Sequence, residues 1–157
     1  MATFRVTDVE DPVAHTLLRE YFDFRAATFP TVLGFYTPKY PWPTEFVPPH
    51  GVFLVVEDDG EVVGCGGVRS LSSTRYEIKH LWVQARARGR GLGKSVLCEL
   101  EDRARSFGAT ETVLDTNASL AAAGQLYRST GYSNIEPYNE NPNATDWMLK
   151  QLPPSGG

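Results

Sequence analysis

The spacing of apolar residues in the first third of the chain predicts a strand, a helix and a long loop. A short strand is expected at residues 2–7. Apolar residues then recur at helical spacing after Asp11-Pro12, a capping side chain followed by proline, which predicts a helix at about 11–28. Residues 29–49 are rich in proline and aromatic residues and show no period, so we expect a long loop with short helical turns. Loops this long in compact domains usually have a functional role.

The middle of the chain is predicted to form three antiparallel strands. The apolar runs 52–56 and 61–68 flank Asp59-Gly60, a dipeptide typical of a tight hairpin. A third strand is expected at 76–83, after a serine-rich turn. The second strand of the three carries several glycines, which usually indicate a β-bulge or a close approach by other backbone.

Helices and strands alternate in the last third of the chain. Apolar residues at helical spacing predict a helix at 91–107, and a second helix is expected at 119–130. A buried strand is predicted at 112–114, and closing strands at about 132–138 and 145–151. This order of elements indicates a mixed α+β layer fold, with a sheet flanked by helices, and not a doubly wound parallel sheet.

The length of 157 residues suits a single domain, which we place at 1–152, followed by a tail at 153–157 that we expect to be disordered. The chain has no apolar run long enough to span a membrane, and its first residues lack the order of a signal peptide. We therefore expect a cytoplasmic protein without a membrane partner. Cys65 and Cys98 are expected to stay reduced as small apolar core residues.

Charge and residue spacing argue against two classes of function. Fifteen basic against nineteen acidic residues give a net charge of −4, whereas proteins that bind duplex nucleic acid usually carry a basic excess. His15, His50 and His80 show no metal-ligand spacing with each other or with the cysteines, so no metal is expected. His80, within a predicted strand, is interpreted as a structural residue.

The segment 85–95 (ARARGRGLGKS) joins a predicted strand to a predicted helix and combines basic residues with glycines. Glycines allow a ligand to approach the backbone, and a helix N-terminus offers unpaired N–H groups and a positive dipole. This combination predicts an anion site, most naturally for a phosphate or pyrophosphate. The alternative is a solvated basic turn whose glycines serve only the entry into the helix.

Two common nucleotide motifs do not match this segment. A P-loop would require glycine at Arg88, five residues before the triplet Gly93-Lys94-Ser95. A dinucleotide fingerprint would require glycine at Lys94 or at Val96, depending on where it begins.

The segment does resemble the acetyl-CoA-binding motif of the GNAT superfamily of N-acetyltransferases, Arg/Gln-x-x-Gly-x-Gly/Ala, which stands here as residues 88–93. The resemblance extends before it through 77–83 (EIKHLWV), and after it through 114–116 (LDT) and 126–132 (LYRSTGY). Recognisable blocks cover about residues 50–150, and the first 50 residues match only in the order of their elements. The resemblance implies a GNAT-like α+β domain whose central mixed, mostly antiparallel sheet is flanked by helices.

The resemblance also implies a site for acetyl-CoA as cosubstrate. The expected coenzyme-binding residues are Leu81, Trp82, Val83, Arg86, Arg88, Gly89, Arg90, Gly91, Leu92, Gly93 and Lys94. The backbone amides of 88–94 would hold the pyrophosphate, and the strand ending at Val83 would pair with the pantetheine arm. The chain departs from the family at Leu120, where many members have an asparagine that contacts pantetheine, and Asn117 lies nearby but out of register.

Acetyl transfer to an amine requires a proton acceptor, a group that stabilises the oxyanion and a proton donor for the leaving thiolate. By resemblance, Glu77 is the candidate general base, directly or through water, and Tyr127 is the candidate general acid. Glu77 could instead be a solvent-facing or lysine-paired carboxylate, and Tyr127 a packed core residue. The backbone N–H near Val83 could polarise the thioester carbonyl.

The acceptor amine is expected to be a small molecule or a peptide, bound in part by Arg25, Glu77 and Tyr138. The protein is expected to be a monomer or a homodimer. A non-catalytic acyl-CoA-binding sensor or scaffold with the same fold is the alternative function. RNA binding through the basic turn is disfavoured by the net charge and by the lack of aromatic residues in that segment.

Overall fold

A computed structural model describes residues 1–154 and shows one sheet with helices on both of its faces. The elements, in chain order, are β1 (Ala2–Val6), α1 (Pro12–Thr28), β2 (Gly51–Asp58), β3 (Glu61–Ser70), β4 (Arg75–Val83), α2 (Leu92–Ser106), β5 (Glu111–Thr116), α3 (Ala121–Ser129), β6 (Ser133–Ile135) and β7 (Asp146–Gln151). This order is the predicted one. The predicted long loop contains two short 3-10 turns, Thr31–Leu33 and Pro43–Phe46.

The sheet has seven strands in the order β1-β2-β3-β4-β5-β7-β6. All neighbouring strands are antiparallel except β4 and β5, which are parallel. A mixed, mostly antiparallel sheet with three flanking α-helices confirms the predicted α+β fold.

Strand β2 shows how the sheet divides two hydrophobic clusters. Phe53 and Val55 pack with the apolar face of α1, whereas Val52, Leu54 and Val56 pack in a cluster that includes residues of α2 and α3. Alternate side chains of a strand point to opposite faces, so both faces of this strand are buried. Helix α1 therefore covers one face, and α2 and α3 cover the other.

Two local features of the strands follow from their glycines and from one histidine. A Cβ on Gly66 would lie 2.9 Å from side-chain atoms of Val96 and Leu100, so the glycine allows α2 to lie close to the sheet. Opposite it, the register of β3 and β4 shifts between Cys65 and Gly67, and His80 has a φ of 59°. This is a β-bulge, which bends β4 just before its last residues.

The cysteine prediction was half right. Cys65 is buried and free, but Cys98 is free and exposed on α2, so it is not a core residue. The end of the chain is only partly described: residues 153 and 154 follow β7 without regular structure, and 155–157 of the predicted tail lie outside the described residues. Among residues 1–154, no helix is both long enough and apolar enough to cross a membrane.

Candidate active site

The central strands β4 and β5 pair over only part of their length, which opens a cavity between them. Their register joins Arg75, Tyr76 and Glu77 to residues 111–113. Beyond that point β4 continues to Val83 and β5 to Thr116 without pairing to each other. A cavity of about 540 Å³ lies here, and residues 78–83 of β4 form one of its walls.

One end of the cavity is formed by the glycine-rich turn before α2. Gly89 and Gly91 have φ values of 84° and 75°, a region that favours glycine. Gly91 is the N-cap of α2 and no side chain caps this helix, so its first N–H groups lack helical partners. The structure thus has unpaired amides and a positive helix end at a concave surface, the features on which the predicted anion site depends.

Only some of the basic residues of this turn face the cavity. Arg88 and Lys94 line it, and the Arg88 guanidinium lies over the rings of Trp82, at 5.0 Å, and Phe24, at 5.2 Å. Arg86 donates to Glu61 at 2.6 Å, and Arg90 lies 3.4 Å from Asp58. These two arginines do not line the cavity, so their position does not support direct coenzyme binding.

The other predicted coenzyme residues are brought together. The predicted residues that line the cavity are Leu81, Trp82, Val83, Arg88, Gly89, Gly91, Leu92, Gly93 and Lys94. Leu120 also lines it, in place of the family asparagine. Asn117 does not: its side chain donates to the Asn143 carbonyl at 3.1 Å and accepts from the Ser119 N–H at 3.0 Å. Asn117 therefore has a structural role in the loop.

Glu77 lies at the last position of β4 that pairs with β5 and is 1% exposed. Its Oε1 accepts from Nε of Arg69 at 2.8 Å, and its Oε2 accepts from the Tyr138 hydroxyl at 2.6 Å. Arg69 also pairs with Glu45. Burial, and next the charge of Glu77, raise the pKa of Tyr138, so its hydroxyl stays protonated. Neither Glu77 nor Tyr138 lines the cavity, and the structure places the carboxylate just behind the wall.

Tyr127, on α3, is buried and lines the cavity. Its ring packs against Tyr132, with ring centroids 5.9 Å apart, and its hydroxyl makes no hydrogen bond within residues 1–154. Burial is the main cause that raises the pKa of Tyr127; the charge of Asp115 acts in the same direction and that of Arg25 in the opposite one. The hydroxyl is thus a protonated donor at the cavity.

Arg25 reaches the cavity from α1 and is 9% exposed. Its Nη1 donates to the Tyr21 hydroxyl at 3.1 Å, and its Nη2 donates to the Asn143 carbonyl at 3.3 Å. The guanidinium also lies 5.3 Å from the centre of the Tyr36 ring. These contacts are all with neutral groups.

Two cavity residues were not predicted to face a ligand. His80 lies at the bulge among the rings of Tyr21, Phe22 and Phe46, and its Nδ1 has no hydrogen-bond partner among the described residues. Burial lowers its pKa well below the usual range, and nearby cations act in the same direction. Asp115, at the end of β5, accepts from Asn139 at 2.8 Å. The sequence block 114–116 pointed to this region but assigned no role to Asp115.

Comparison with known proteins shows the family to which this chain belongs. The model of the acetyltransferase (GNAT) family matches residues 14–132, which is well over half of the chain. The chain belongs to the GNAT acetyltransferase family.

Individual GNAT relatives agree with this assignment. The chain is 36% identical over 100 residues to an uncharacterized N-acetyltransferase of Schizosaccharomyces pombe, an alignment that covers 62% of this chain and 61% of that protein. The chain thus spans about three fifths of that relative's length.

Solved structures match over nearly the whole chain. A putative acyl-CoA N-acyltransferase from Klebsiella pneumoniae has a TM-score of 0.76 at 25% identity, covering 97% of this chain and 98% of that one. A GNAT family acetyltransferase from Elizabethkingia anophelis, solved with acetyl-CoA bound, has a TM-score of 0.65 at 17% identity, covering 96% and 98%. The second likeness concerns the fold alone.

The described part of the chain shows no candidate metal centre. No group of three or more His, Cys, Asp and Glu residues is placed to hold a metal ion within residues 1–154. The polar residues that line the cavity instead include cations, one carboxylate, one histidine and several hydroxyl groups, among them those of Tyr21 and Tyr127.

Proposed function

We propose that this protein is an N-acetyltransferase, with residues 1–152 as its single catalytic domain, that transfers an acetyl group from acetyl-CoA to a primary amine in the cytoplasm. One observation supports this proposal above the others: the unpaired edge of β4 and the uncapped N-terminus of α2 lie on the same cavity. The acceptor is a small-molecule or peptide amine, and the protein acts as a monomer or homodimer.

The two features match the two polar parts of the coenzyme. The pyrophosphate would accept from the N–H groups at the start of α2, with Arg88 and Lys94 supplying positive charge. The pantetheine amides would pair with the free edge of β4 over residues 78–83, as a peptide pairs with an open strand. Arg86 and Arg90 each pair with a carboxylate, so they would contribute only to the electrostatic potential around the site.

The reaction is a direct attack of the amine on the thioester. The nitrogen lone pair forms a bond to the carbonyl carbon, and the backbone N–H near Val83 polarises the carbonyl oxygen. The C–S bond then breaks as the amide forms. The coenzyme thiolate takes a proton from the Tyr127 hydroxyl, which is protonated at neutral pH, and the tyrosinate regains a proton from solvent after the products leave.

The amine must also lose a proton, and Glu77 is the proposed acceptor. Because Glu77 lies behind the cavity wall, the proton would reach it through the Tyr138 hydroxyl or a water molecule. Tyr138 does not line the cavity either, so on this path it would pass one proton to Glu77 and take one from a water molecule that has accepted a proton from the amine.

A second function is favoured by one observation. Both oxygens of Glu77 are already bound, to Arg69 and Tyr138, which is also what a purely structural carboxylate would show. The protein would then bind an acyl-CoA as a sensor or scaffold without turnover.

The deciding experiment is a panel of primary amines incubated with acetyl-CoA and the protein, read by the release of free thiol. Coenzyme A binding is measured in parallel by calorimetry, and acetyl-CoA with protein but no amine gives the background rate. Thiol release that depends on an amine supports the transferase. Tight coenzyme binding without release for any amine would support the sensor, and no binding would contradict both functions.

A further inference from the structure

We infer that the acceptor of this enzyme carries a carboxylate next to its amine, as a free amino acid does, and that Arg25 binds that carboxylate. The inference deepens the proposed function and rests on it. It starts from a buried cation without an anionic partner on the cavity wall.

The surroundings of Arg25 differ from those of other partly buried cations. Arg69 lies 2.8 Å from Glu77, and Lys150 lies 3.0 Å from Glu101, so each of these cations is paired with a carboxylate. Arg25 is 9% exposed, yet within residues 1–154 it donates only to a tyrosine hydroxyl and a backbone carbonyl.

A buried charge is costly unless an opposite charge and hydrogen bonds compensate for it. A guanidinium has five N–H donors in a planar fork, and two of the Arg25 donors are used in those two contacts. The remaining donors can bind a carboxylate through two parallel hydrogen bonds. The ring of Tyr36, 5.3 Å away, and the hydroxyl of Tyr21 restrict the orientation of the fork.

The position of Arg25 relates it to the reacting atoms and not to the coenzyme phosphates. Arg25, Asp115 and Tyr127, the proposed donor to the leaving thiolate, all line the same cavity, and the charges of Arg25 and Asp115 act on the pKa of Tyr127 in opposite directions. Arg88 and Lys94, in contrast, belong to the turn before α2.

The two charges near Tyr127 have opposite signs, which matches a zwitterion. The carboxylate of an amino acid would bind Arg25, and its ammonium would lie toward Asp115 before losing a proton. The N-terminal residue of a peptide has a free amine, but its α-carboxyl group is part of a peptide bond and carries no charge. The arrangement therefore favours a free amino acid over a protein N-terminus.

The test compares an amino acid with its own carboxamide, which keeps the amine and side chain and removes only the negative charge. For wild-type protein, kcat/KM for the acid, calculated on the free amine concentration, should exceed that for the amide by about 10- to 100-fold. A set of amino acids with different side chains is tested in such pairs, because the side chain is not specified by Arg25.

Variants assign that preference to Arg25. In Arg25→Gln the preference should fall to about one, with the dissociation constant of acetyl-CoA unchanged, whereas Arg25→Lys should keep part of it. Arg88→Gln is the matched control: it should weaken acetyl-CoA binding and keep the preference. Equal rates for acid and amide in wild-type protein would overturn the inference, as would an unchanged preference in Arg25→Gln.

A binding measurement separates this inference from the proposed function. The acid and the amide are each titrated by calorimetry into wild-type protein saturated with coenzyme A. Tighter binding of the acid without any turnover would contradict the transferase and keep Arg25 as a carboxylate site. Turnover of amines with no difference between acid and amide would support the transferase and contradict the inference. If Arg25→Gln does not fold, Arg25→Lys decides: a preference as large as that of wild-type protein would overturn the inference.

Discussion

The Tyr138 hydroxyl, in the loop between β6 and β7, donates to Oε2 of Glu77 on β4 at 2.6 Å, although the two residues are 61 positions apart. Arg69 occupies the other carboxylate oxygen. The carboxylate thus has one neutral neighbour that can carry a proton and one cation that cannot release one at ordinary pH. If Glu77 acts as the base, Tyr138 lies on its proton path.

Replacing Glu77 by glutamine tests that role. Glu77→Gln keeps the size of the side chain and loses the proton acceptor, so kcat/KM should fall at neutral pH. It should recover in part toward about pH 10, where free amine is abundant. The measurement is the ratio of variant to wild-type rates from about pH 6 to about pH 10.

Glu45→Gln is the control for this change, since Glu45 is the other carboxylate partner of Arg69 and makes no contact with Tyr138. It should lower stability without changing the pH profile. A constant ratio for Glu77→Gln across the whole pH range would remove Glu77 from the mechanism.

Tyr127→Phe separates catalysis from packing. The Tyr127 hydroxyl has no hydrogen-bond partner among the described residues, so its removal should leave stability nearly unchanged. The loss of the proton donor should lower kcat by about 10²-fold or less, because a thiolate is a fair leaving group. Turnover, coenzyme affinity and melting temperature are measured on the same protein.

The neighbouring Tyr132 offers the opposite case. Its hydroxyl lies 2.7 Å from Glu101 and 2.8 Å from Thr112, and burial raises its pKa. Tyr132→Phe should cost about 1 kcal/mol of stability and leave kcat near the wild-type value. Full activity of Tyr127→Phe would make Tyr127 a packing residue, with solvent as the proton donor.

Gly91 offers a test of the coenzyme site. Its φ of 75° makes alanine strained there, by about 1–2 kcal/mol, and a Cβ would occupy open space beside the cavity that Gly91 lines. Gly91→Ala should weaken coenzyme A binding in calorimetry. Gly60→Ala, at a φ of 81° in the β2–β3 turn, carries the same strain away from the cavity and should leave affinity unchanged. Equal affinity in both variants would show that the site is elsewhere.

His80 should make stability depend on pH. Its pKa is lowered in the folded protein by burial, and the charges of Lys79, Arg69 and Arg25 act in the same direction. The unfolded chain binds a proton near about pH 6.5, whereas the folded protein does so only at lower pH. His80 therefore does not make the free energy of unfolding depend on pH well above about pH 6.5. Below that pH, protonation of the unfolded chain lowers this free energy by up to about 1.4 kcal/mol per pH unit.

Urea unfolding of His80→Asn at about pH 7.5 and about pH 5 measures this contribution. Asparagine tolerates a positive φ, so it suits the bulge without titrating. The variant should lose less stability between the two pH values than wild type does. His50→Asn, which replaces an exposed histidine, is the control. If His80→Asn loses as much stability between the two pH values as wild type does, other groups cause the pH dependence.

Local sequence signals predicted the elements well, because each of them depends on neighbouring residues. Asp11 caps α1 as expected, with its side chain accepting from the Val13 N–H. Asp59 and Gly60 both have positive φ in the predicted hairpin turn. The glycines of β3 correctly indicated a bulge, although it lies on the neighbouring strand, at His80, whereas the atoms that approach Gly66 most closely belong to side chains of α2 and not to backbone.

The features that sequence could not provide depend on contacts between distant residues. Nothing near Glu77 indicates that Arg69 and Tyr138 will occupy its oxygens, because both contacts depend on tertiary packing. The same holds for Arg86, which resembles Arg88 in sequence but binds Glu61. Cys98 was expected in the core because its residue type is usually buried, but it lies on the exposed side of α2.

The short pairing of β4 with β5 also affects how the molecule holds together. Strands β1–β4 form one block of the sheet and strands β5–β7 form another. The two blocks are joined by only three consecutive residue pairs between β4 and β5, which form a narrow seam. A coenzyme arm bound along the free edge of β4 would extend that seam with bonds that the chain does not supply. Ligand binding should then suppress local opening of the β5–β7 block, so the part of the protein that holds Tyr127 and Asp115 becomes rigid when the coenzyme is bound.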